Sequence, residues 1–513
     1  MNSKNRYNTL TVTENVLEII ENWFKAEKLG DKSARAQAAH ELSKFLIETG
    51  DGTYTLRSNE LNGKSETMHT YHGAVTESLE KYVKPSKLRE KMDAGKNLHV
   101  LDICSGLGYH SAACIEFLNN SLNDKNLNNE NKSEYSPGKD HLKPTEDHLK
   151  IHCPQIRIDM VEISIETIAA ALLIPNPLKS YGIIKKAVED KLYGEGFLKF
   201  RVQDESQFLG DQFSDEFRNL GELKNLGEFK NVDTLDKNIP ENLKLSENSV
   251  TIHGNPEIKE TQDKISKNLD INIYCEDARD LIKKILKSRD KPEDQVTEED
   301  YGENYDAIFL APFSPSKSPE VCTVEFFKAL RSILKEDGMI LTYTSAAPVR
   351  FALIEAGFHV GEGPRFGRTG GTIASSSLQN IEKPLSMEDE RMIALSDAGI
   401  PFRDHELNSS GFEIAEKRAN KRKNVRGSSK FASSVKAPIY LGKSLEDIDD
   451  PRLKRRVLKS IEKLGFEELN CEKLKYVVCP QFDSCICGSN CQKIENSRDR
   501  IKEMVKRLSK LVK

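Results

Sequence analysis

The stretch from His99 to Ser111 constrains the fold more than any other part of the chain. Val100 to Ile103 read as an apolar strand, Gly106 and Gly108 as a turn. Ala112, Ala113, Ile115, Phe117 and Leu118 then carry a helix signal. Strand, glycine turn and helix form the opening unit of a nucleotide-binding α/β sheet, in which glycine lets backbone N–H groups approach a ligand. A dinucleotide fingerprint needs G-x-G-x-x-G to grip a pyrophosphate, but the third glycine position here is Ser111. Asp102 lies on the strand before the turn. An acidic strand residue without the third glycine suits a ligand that has a ribose and an amine but no phosphate. S-adenosylmethionine is such a ligand, and Asp102, Gly106 and Gly108 are candidate contacts to it.

The next strand signal, Ile156 to Val161, ends at Glu162. Between turn and strand, residues 119–150 are polar and near-repetitive, with seven asparagines among residues 119–131. Such a composition cannot bury enough to order itself and predicts an insertion. Glu162 lies 54 residues after Gly108, and 22 after it once that segment of 32 is set aside. A nucleoside site places an acidic residue about 20 residues past the turn to accept from the ribose hydroxyls. Glu162 therefore joins the candidates. Residues 204–268 are biased in the same way and predict a second insertion.

Further strand signals follow at Ile271–Cys275, Tyr305–Leu310 and Met339–Tyr343, with helix signals between them. Asp277, just past the first of these strands, is a candidate acceptor for an adenine amino group. Asp337-Gly338 reads as a helix C-cap. Strand and helix alternation implies a mostly parallel sheet with helices on both faces. Residues 1–49 carry two amphipathic helices, the first marked by Val16, Ile19, Ile20, Trp23 and Phe24, and predict a helical cap.

With 37% hydrophobic residues the chain can bury a core, and its net charge of -5 gives no overall field for nucleic acid. The longest apolar run, Ile168 to Ile174, is too short to span a bilayer. The expectation is a soluble, cytoplasmic protein without membrane or DNA partners. Five of the ten cysteines lie beyond residue 470, which argues against an extracellular disulfide framework and for a local site.

Several segments together carry a family resemblance. They are Gly52-Thr53-Tyr54-Thr55-Leu56, His69 with His72-Gly73-Ala74-Val75-Thr76-Glu77-Ser78, Asp102 to Tyr109, and Val161-Glu162-Ile163. Asp277-Ala278-Arg279, Pro312 to Glu320, Ala356-Gly357-Phe358 and Pro364 to Arg368 with Gly371 to Ser375 complete the set. The chain resembles the MnmC-like methyltransferases, which include the methyl-transferring half of the enzyme that completes 5-methylaminomethyl-2-thiouridine in tRNA. The resemblance implies a class I S-adenosylmethionine-dependent methyltransferase, Rossmann-like, over residues 50–380, with tRNA as partner. It adds Glu77 as a cofactor contact and Phe313, Ser314 and Tyr109 as residues of the acceptor site. Two departures stand out. The family's first turn glycine falls on Cys104, and the aspartate that precedes its Phe-Ser-Pro segment falls on Ala311. The second departure bears on the substrate amine, which that aspartate would hold.

Residues 381–513 read as a separate basic unit. Lys417 to Lys436 holds eight basic residues and no acidic one, offering phosphate contacts to RNA. Helix signals at 451–464 and 498–511 are also basic. Between them Cys479, Cys485, Cys487 and Cys491 predict a metal centre, either zinc or an iron–sulfur cluster, that joins these two helices. Three functions are compatible with all this: a methyltransferase acting on an amine of a modified tRNA wobble uridine, one with another acceptor, or a catalytically silent RNA-binding protein of the same fold.

Overall fold

A computed structural model describes residues 10–61, 63–133, 154–175, 178–199, 268–289, 304–367 and 369–512. Its centre is a seven-stranded sheet. In chain order the strands are β3 (Leu98–Ile103), β4 (Ile156–Val161), β5 (Leu269–Tyr274), β6 (Tyr305–Leu310), β7 (Leu334–Thr342), β8 (His359–Phe366) and β9 (Thr369–Ser375). A small hairpin, β1 (Ile47–Glu48) and β2 (Tyr54–Thr55), precedes them. The spatial order is β5-β4-β3-β6-β7-β9-β8. The first five are parallel, and β9 runs antiparallel to both β7 and β8. This is the class I methyltransferase arrangement that the sequence implies, closed by an antiparallel hairpin.

Every residue of β3 is buried, as a central parallel strand covered on both faces requires. Its side chains alternate between two cores. Leu98 and Val100 join an apolar cluster with the N-terminal helices, through Val16, Ile20, Trp23 and Phe24 of the Glu14–Leu29 helix. That helix ends at Gly30, whose φ of 68° is the left-handed turn glycine favours. Leu101 and Ile103 face the opposite cluster, which runs on without interruption into Phe402, Phe431, Val477 and Leu508.

The expected separate C-terminal unit is therefore corrected: residues 381–512 pack on one face of the sheet and share its core. The Ser497–Leu511 helix touches both the Met387–Leu395 helix and β8. Arg498 of that helix donates to the carbonyl of Gly357, at 3.2 Å.

Three local expectations also change. The helix after the glycine turn continues from Tyr109 to Ser133, through the first part of the expected insertion. Residues 134–150 and 204–267 lie outside the described residues. The helix before β7 stops at Ile333, because Leu334 turns extended and pairs with Tyr305 of β6. Asp337-Gly338 is thus strand and not a C-cap. A Tyr181–Gly194 helix, overlooked in the sequence, buries Tyr181, Ile184, Val188 and Leu192 at helical spacing. Among the described residues no helix is long and apolar enough to cross a membrane.

Candidate active site

In an open α/β sheet the ligand crevice lies past the carboxyl ends of the strands, where the strand order reverses. Here β3 sits between β4 and β6, so the chain leaves β3 in one direction and returns on its other side. A cleft opens at that point. Its walls are the residues that follow four adjacent strands: Cys104 to Gly106, Glu162-Ile163, Glu276 to Ala278, and Ala311 to Phe313. Met68 and His69 close it from the N-terminal side.

The glycine turn is tight. Gly106 has a φ of 54°, and a Cβ there would meet Met68 Cε at 2.6 Å. Its N–H donates to Glu162 Oε2 at 3.1 Å. Gly108 faces away from the cleft, where a Cβ would meet Ile184 at 2.8 Å; it serves the packing of the Tyr181–Gly194 helix. Cys104 holds a left-handed φ of 60° at the position where the resemblance expects glycine. The turn keeps its shape with a side chain in it, against a cost of about 1–2 kcal/mol for an L residue in that conformation.

The predicted site residues divide into two groups. Gly106, Glu162, Asp277, Ala311 and Phe313 line the cleft together. Asp102, Gly108, Tyr109, Glu77 and Ser314 do not. Asp102 is on the Val100 side of β3, fully buried, and accepts from Ser111 Oγ at 2.7 Å. Glu77 pairs with the buried Lys81 at 3.2 Å and accepts from the Thr70 N–H. Tyr109 is fully buried and donates to the Tyr54 carbonyl at 2.8 Å, fastening hairpin β1–β2 to the core. Ser314 donates through its N–H and Oγ to Glu66, at 2.9 and 2.6 Å, pinning the loop that carries Met68. In this geometry Tyr109, Ser314, Glu77, Asp102 and Gly108 stand behind the cleft wall, each engaged in the packing or hydrogen bonds just described.

The family-like segments at 52–56 and 72–76 have the same purpose. Thr53 Oγ1 accepts from the Ala74 N–H and Asp51 from the Thr76 N–H, at 3.1 and 2.9 Å. These contacts cap the Ala74–Ser78 helix and set the strap over the cleft.

Residues that sequence reading missed complete the walls. His69 is buried, and its burial pulls it down to about 3, so it is neutral at neutral pH. His110 Nδ1 lies 3.5 Å from Asp102 Oδ1, and neither atom has a hydrogen-bond partner. Ser105 Oγ and Glu320 Oε2 are likewise buried and unpartnered. Glu320 is only 3% exposed, and burial raises its carboxyl to about 7. Burial also raises Glu162 to about 7, although the N–H groups of Ser164 and Gly106 counteract it. Glu320 closes the segment Pro312 to Glu320, so a signal for it was present in the sequence.

Asp277 is fixed by Arg279, which donates to it from Nε at 3.1 Å and from Nη2 at 2.8 Å. Arg279 is completely buried and also reaches Asp404 Oδ2 and the Ser409 carbonyl, at 3.1 and 2.7 Å. The C-terminal region thereby holds a wall of the cleft.

This chemistry tests which ligand fits. Among the described residues the lining holds four carboxyl residues, Glu162, Glu276, Asp277 and Glu320, and no lysine or arginine. A phosphate would meet repulsion there. A cation with hydroxyl and amine donors would find acceptors, as well as the unpartnered Ser105, His110 and Glu320 atoms. The adenosyl sulfonium of S-adenosylmethionine has that character, and the site fits it.

Residues 244–377 match a family described as S-adenosyl-L-methionine-dependent methyltransferase. An uncharacterized protein of Methanocaldococcus jannaschii is 25% identical over 462 residues, 89% of this chain and 92% of that protein. The tRNA 5-methylaminomethyl-2-thiouridine biosynthesis bifunctional protein MnmC of Ralstonia nicotianae is 44% identical over 63 residues. That match covers 12% of this chain and 10% of that protein. The crystal structure of MnmC2 from Aquifex aeolicus aligns with 80% of this chain and 99% of its own, at 19% identity and a TM-score of 0.43. The sheet order has the class I methyltransferase topology, and together with the match at residues 244–377 it supports an S-adenosylmethionine-dependent methyltransferase. The chain is similar to MnmC over a short segment.

Proposed function

We propose that this methyltransferase acts on an alkyl amine of a modified tRNA uridine. The observation that carries the cofactor half of this reading is the acidic, phosphate-repelling cleft at the switch point of the sheet. When bound, S-adenosylmethionine supplies an electrophilic methyl on a sulfonium. Glu162 accepts from the ribose hydroxyls, and Asp277, held by Arg279, accepts from the adenine amino group. The attacking amine needs a free lone pair, and a desolvated pocket favours its neutral form. Glu320, buried and with an unpartnered oxygen, stands in for the carboxylate lacking at Ala311: it takes the proton of the incoming ammonium. Phe313 offers a face on which the base stacks. The similarity to MnmC supports the tRNA half.

A basic surface supports it too. Arg418, Arg422 and Lys430 turn inward, and Arg422 and Arg426 both bond Asp397, Arg426 remaining exposed. Lys421 and Lys423 of the Gly411–Val425 helix remain exposed, as do Arg455, Lys459 and Lys463. The two sets adjoin, because Lys463 packs beside Gly427 and Arg456 bonds the Ser434 carbonyl. The Gly411–Val425 helix begins beside Glu320 in the cleft and ends near this surface, a span of about 22 Å. RNA phosphates held on the surface would leave a nucleoside free to enter the cleft.

The Ala311 position favours a second reading, in which the amine belongs to another acceptor. Glu162→Ala tests the common part. It should weaken S-adenosylmethionine binding in calorimetry by about 5- to 30-fold, the scale of one or two kcal/mol for a charge-assisted hydrogen bond. Unchanged affinity would remove Glu162 from the site. Ala311→Asp separates the acceptors: cofactor affinity should hold while the rate or the accepted nucleoside changes, and unchanged transfer would exclude that position.

A further inference from the structure

Outside the cleft, one cluster of reactive side chains has no part in methyl transfer. Cys479, Cys485, Cys487 and Cys491 bring their sulfurs within 4.8 Å of one another. Successive sulfurs are 3.8, 3.6 and 3.4 Å apart. None of the four lines the cleft. Cys471, the upstream cysteine, packs against the apolar core and stays outside the cluster.

The spacing discriminates between ligands. Four sulfurs about 2.3 Å from one zinc sit at the corners of a tetrahedron with edges of about 3.8 Å. In an iron–sulfur cluster the four thiolates are divided between two or four irons, which spreads at least some of the pairs beyond one tetrahedral edge. A pair of disulfides would bring sulfurs together two by two, at about 2 Å. Four mutually close, unbonded sulfurs match one metal ion and neither alternative. The surroundings suit thiolates: the Ile486 N–H donates to Cys479 Sγ at 3.4 Å, and Arg507 Nη1 to Cys491 Sγ at 3.3 Å. The backbone wraps the site through left-handed residues, Gly488 with φ 77° and Asn490 with φ 51°.

We propose that Cys479, Cys485, Cys487 and Cys491 bind a single structural zinc ion with all four thiolates. Four protein ligands leave no open position, as in structural rather than catalytic zinc sites. Zinc would not join the basic helices at 451–462 and 497–511, as the sequence suggests. It would join the Glu472–Val478 helix, which Cys479 follows, to the Ser497–Leu511 helix, which carries Arg507. Arg507 already bridges them, donating to the Tyr476 carbonyl at 2.8 Å.

Elemental analysis of the full chain, purified anaerobically without chelator, tests this. About one equivalent of zinc per chain is expected, and Cys487→Ser should lower it at least tenfold while Cys471→Ser leaves it unchanged. Cobalt(II) in place of zinc should give the strong visible absorption of a tetrahedral thiolate site. Less than a tenth of an equivalent of zinc in folded wild-type protein, with the four thiols alkylated in the native state or joined as disulfides, would overturn the proposal. Iron with acid-labile sulfide would overturn it as well.

Discussion

Two carboxyl groups in the cleft, Glu162 and Glu320, are raised from 4.5 to about 7 by burial. A ribose hydroxyl or a cation favours the ionised form of each. Ligand binding should therefore release protons near neutrality, and affinity for S-adenosylmethionine should rise between about pH 6 and pH 8. Calorimetry in two buffers of different ionisation heat reads that release, and Glu162→Gln should remove most of it. Buffer-independent heats with a flat affinity would contradict the assignment. Glu77 makes a contrasting case. Its carboxylate belongs to the buried Lys81, so Glu77→Ala leaves a buried cation alone and should cost about 3–5 kcal/mol of stability. Cofactor affinity of the folded variant should stay within about twofold. A large affinity loss with unchanged unfolding would return Glu77 to the cofactor site.

The five parallel strands were legible because their signals are local, apolar runs bounded by glycine or acidic residues, whereas the glycine-rich β8 and β9 were not read as strands. The spacing from Gly108 to Glu162 rested on setting aside a segment whose first part is helix, and Glu162 reaches the cleft because it follows β4. Side-chain partners were less legible, since they depend on elements distant in sequence. Asp102 shows where a local rule was available, because period-two alternation along β3 sends it to the same side as Val100. For Tyr109, no local pattern announces that the Tyr54 carbonyl will be its acceptor. The same holds for the link between Arg279 and Asp404, which joins the first turn of the Ala278–Arg289 helix to a segment 125 residues later. That link makes a prediction about elements. Asp404 accepts from Arg279 and from the N–H groups of Asn408 and Ser409. Asp404→Ala should loosen the 404–411 segment and leave Arg279 with one carboxylate. About 3 kcal/mol of stability should be lost, with weaker cofactor binding through Asp277. Hydrogen exchange over 404–411 measures the first effect and calorimetry the second. Native protection and full affinity would mean that the C-terminal region does not support the cleft.

Across the whole molecule, one sheet separates two cores, and the ends of the chain cover its opposite faces. The cleft stays open at the carboxyl edge, with its acidic groups held in low-dielectric surroundings. This arrangement has a cost in pH. Carboxyls raised in the fold contribute stability that is fully present below about pH 4.5 and lost as pH rises through about 7. Thermal unfolding of the ligand-free protein should therefore show a falling contribution between about pH 5 and pH 8. The double variant Glu162→Gln, Glu320→Gln should flatten it, and an identical pH profile would contradict the burial argument. The central claim is methyl transfer to a tRNA amine, and it is tested by incubating the protein with methyl-labelled S-adenosylmethionine and tRNA from cells lacking this gene. Nucleoside mass spectrometry should find one labelled nucleoside with the methyl on an alkyl amine, formed about 5- to 30-fold more slowly by Glu162→Ala at sub-saturating cofactor. Cofactor binding without any label entering tRNA, or label on a base carbon or ribose oxygen, would contradict it.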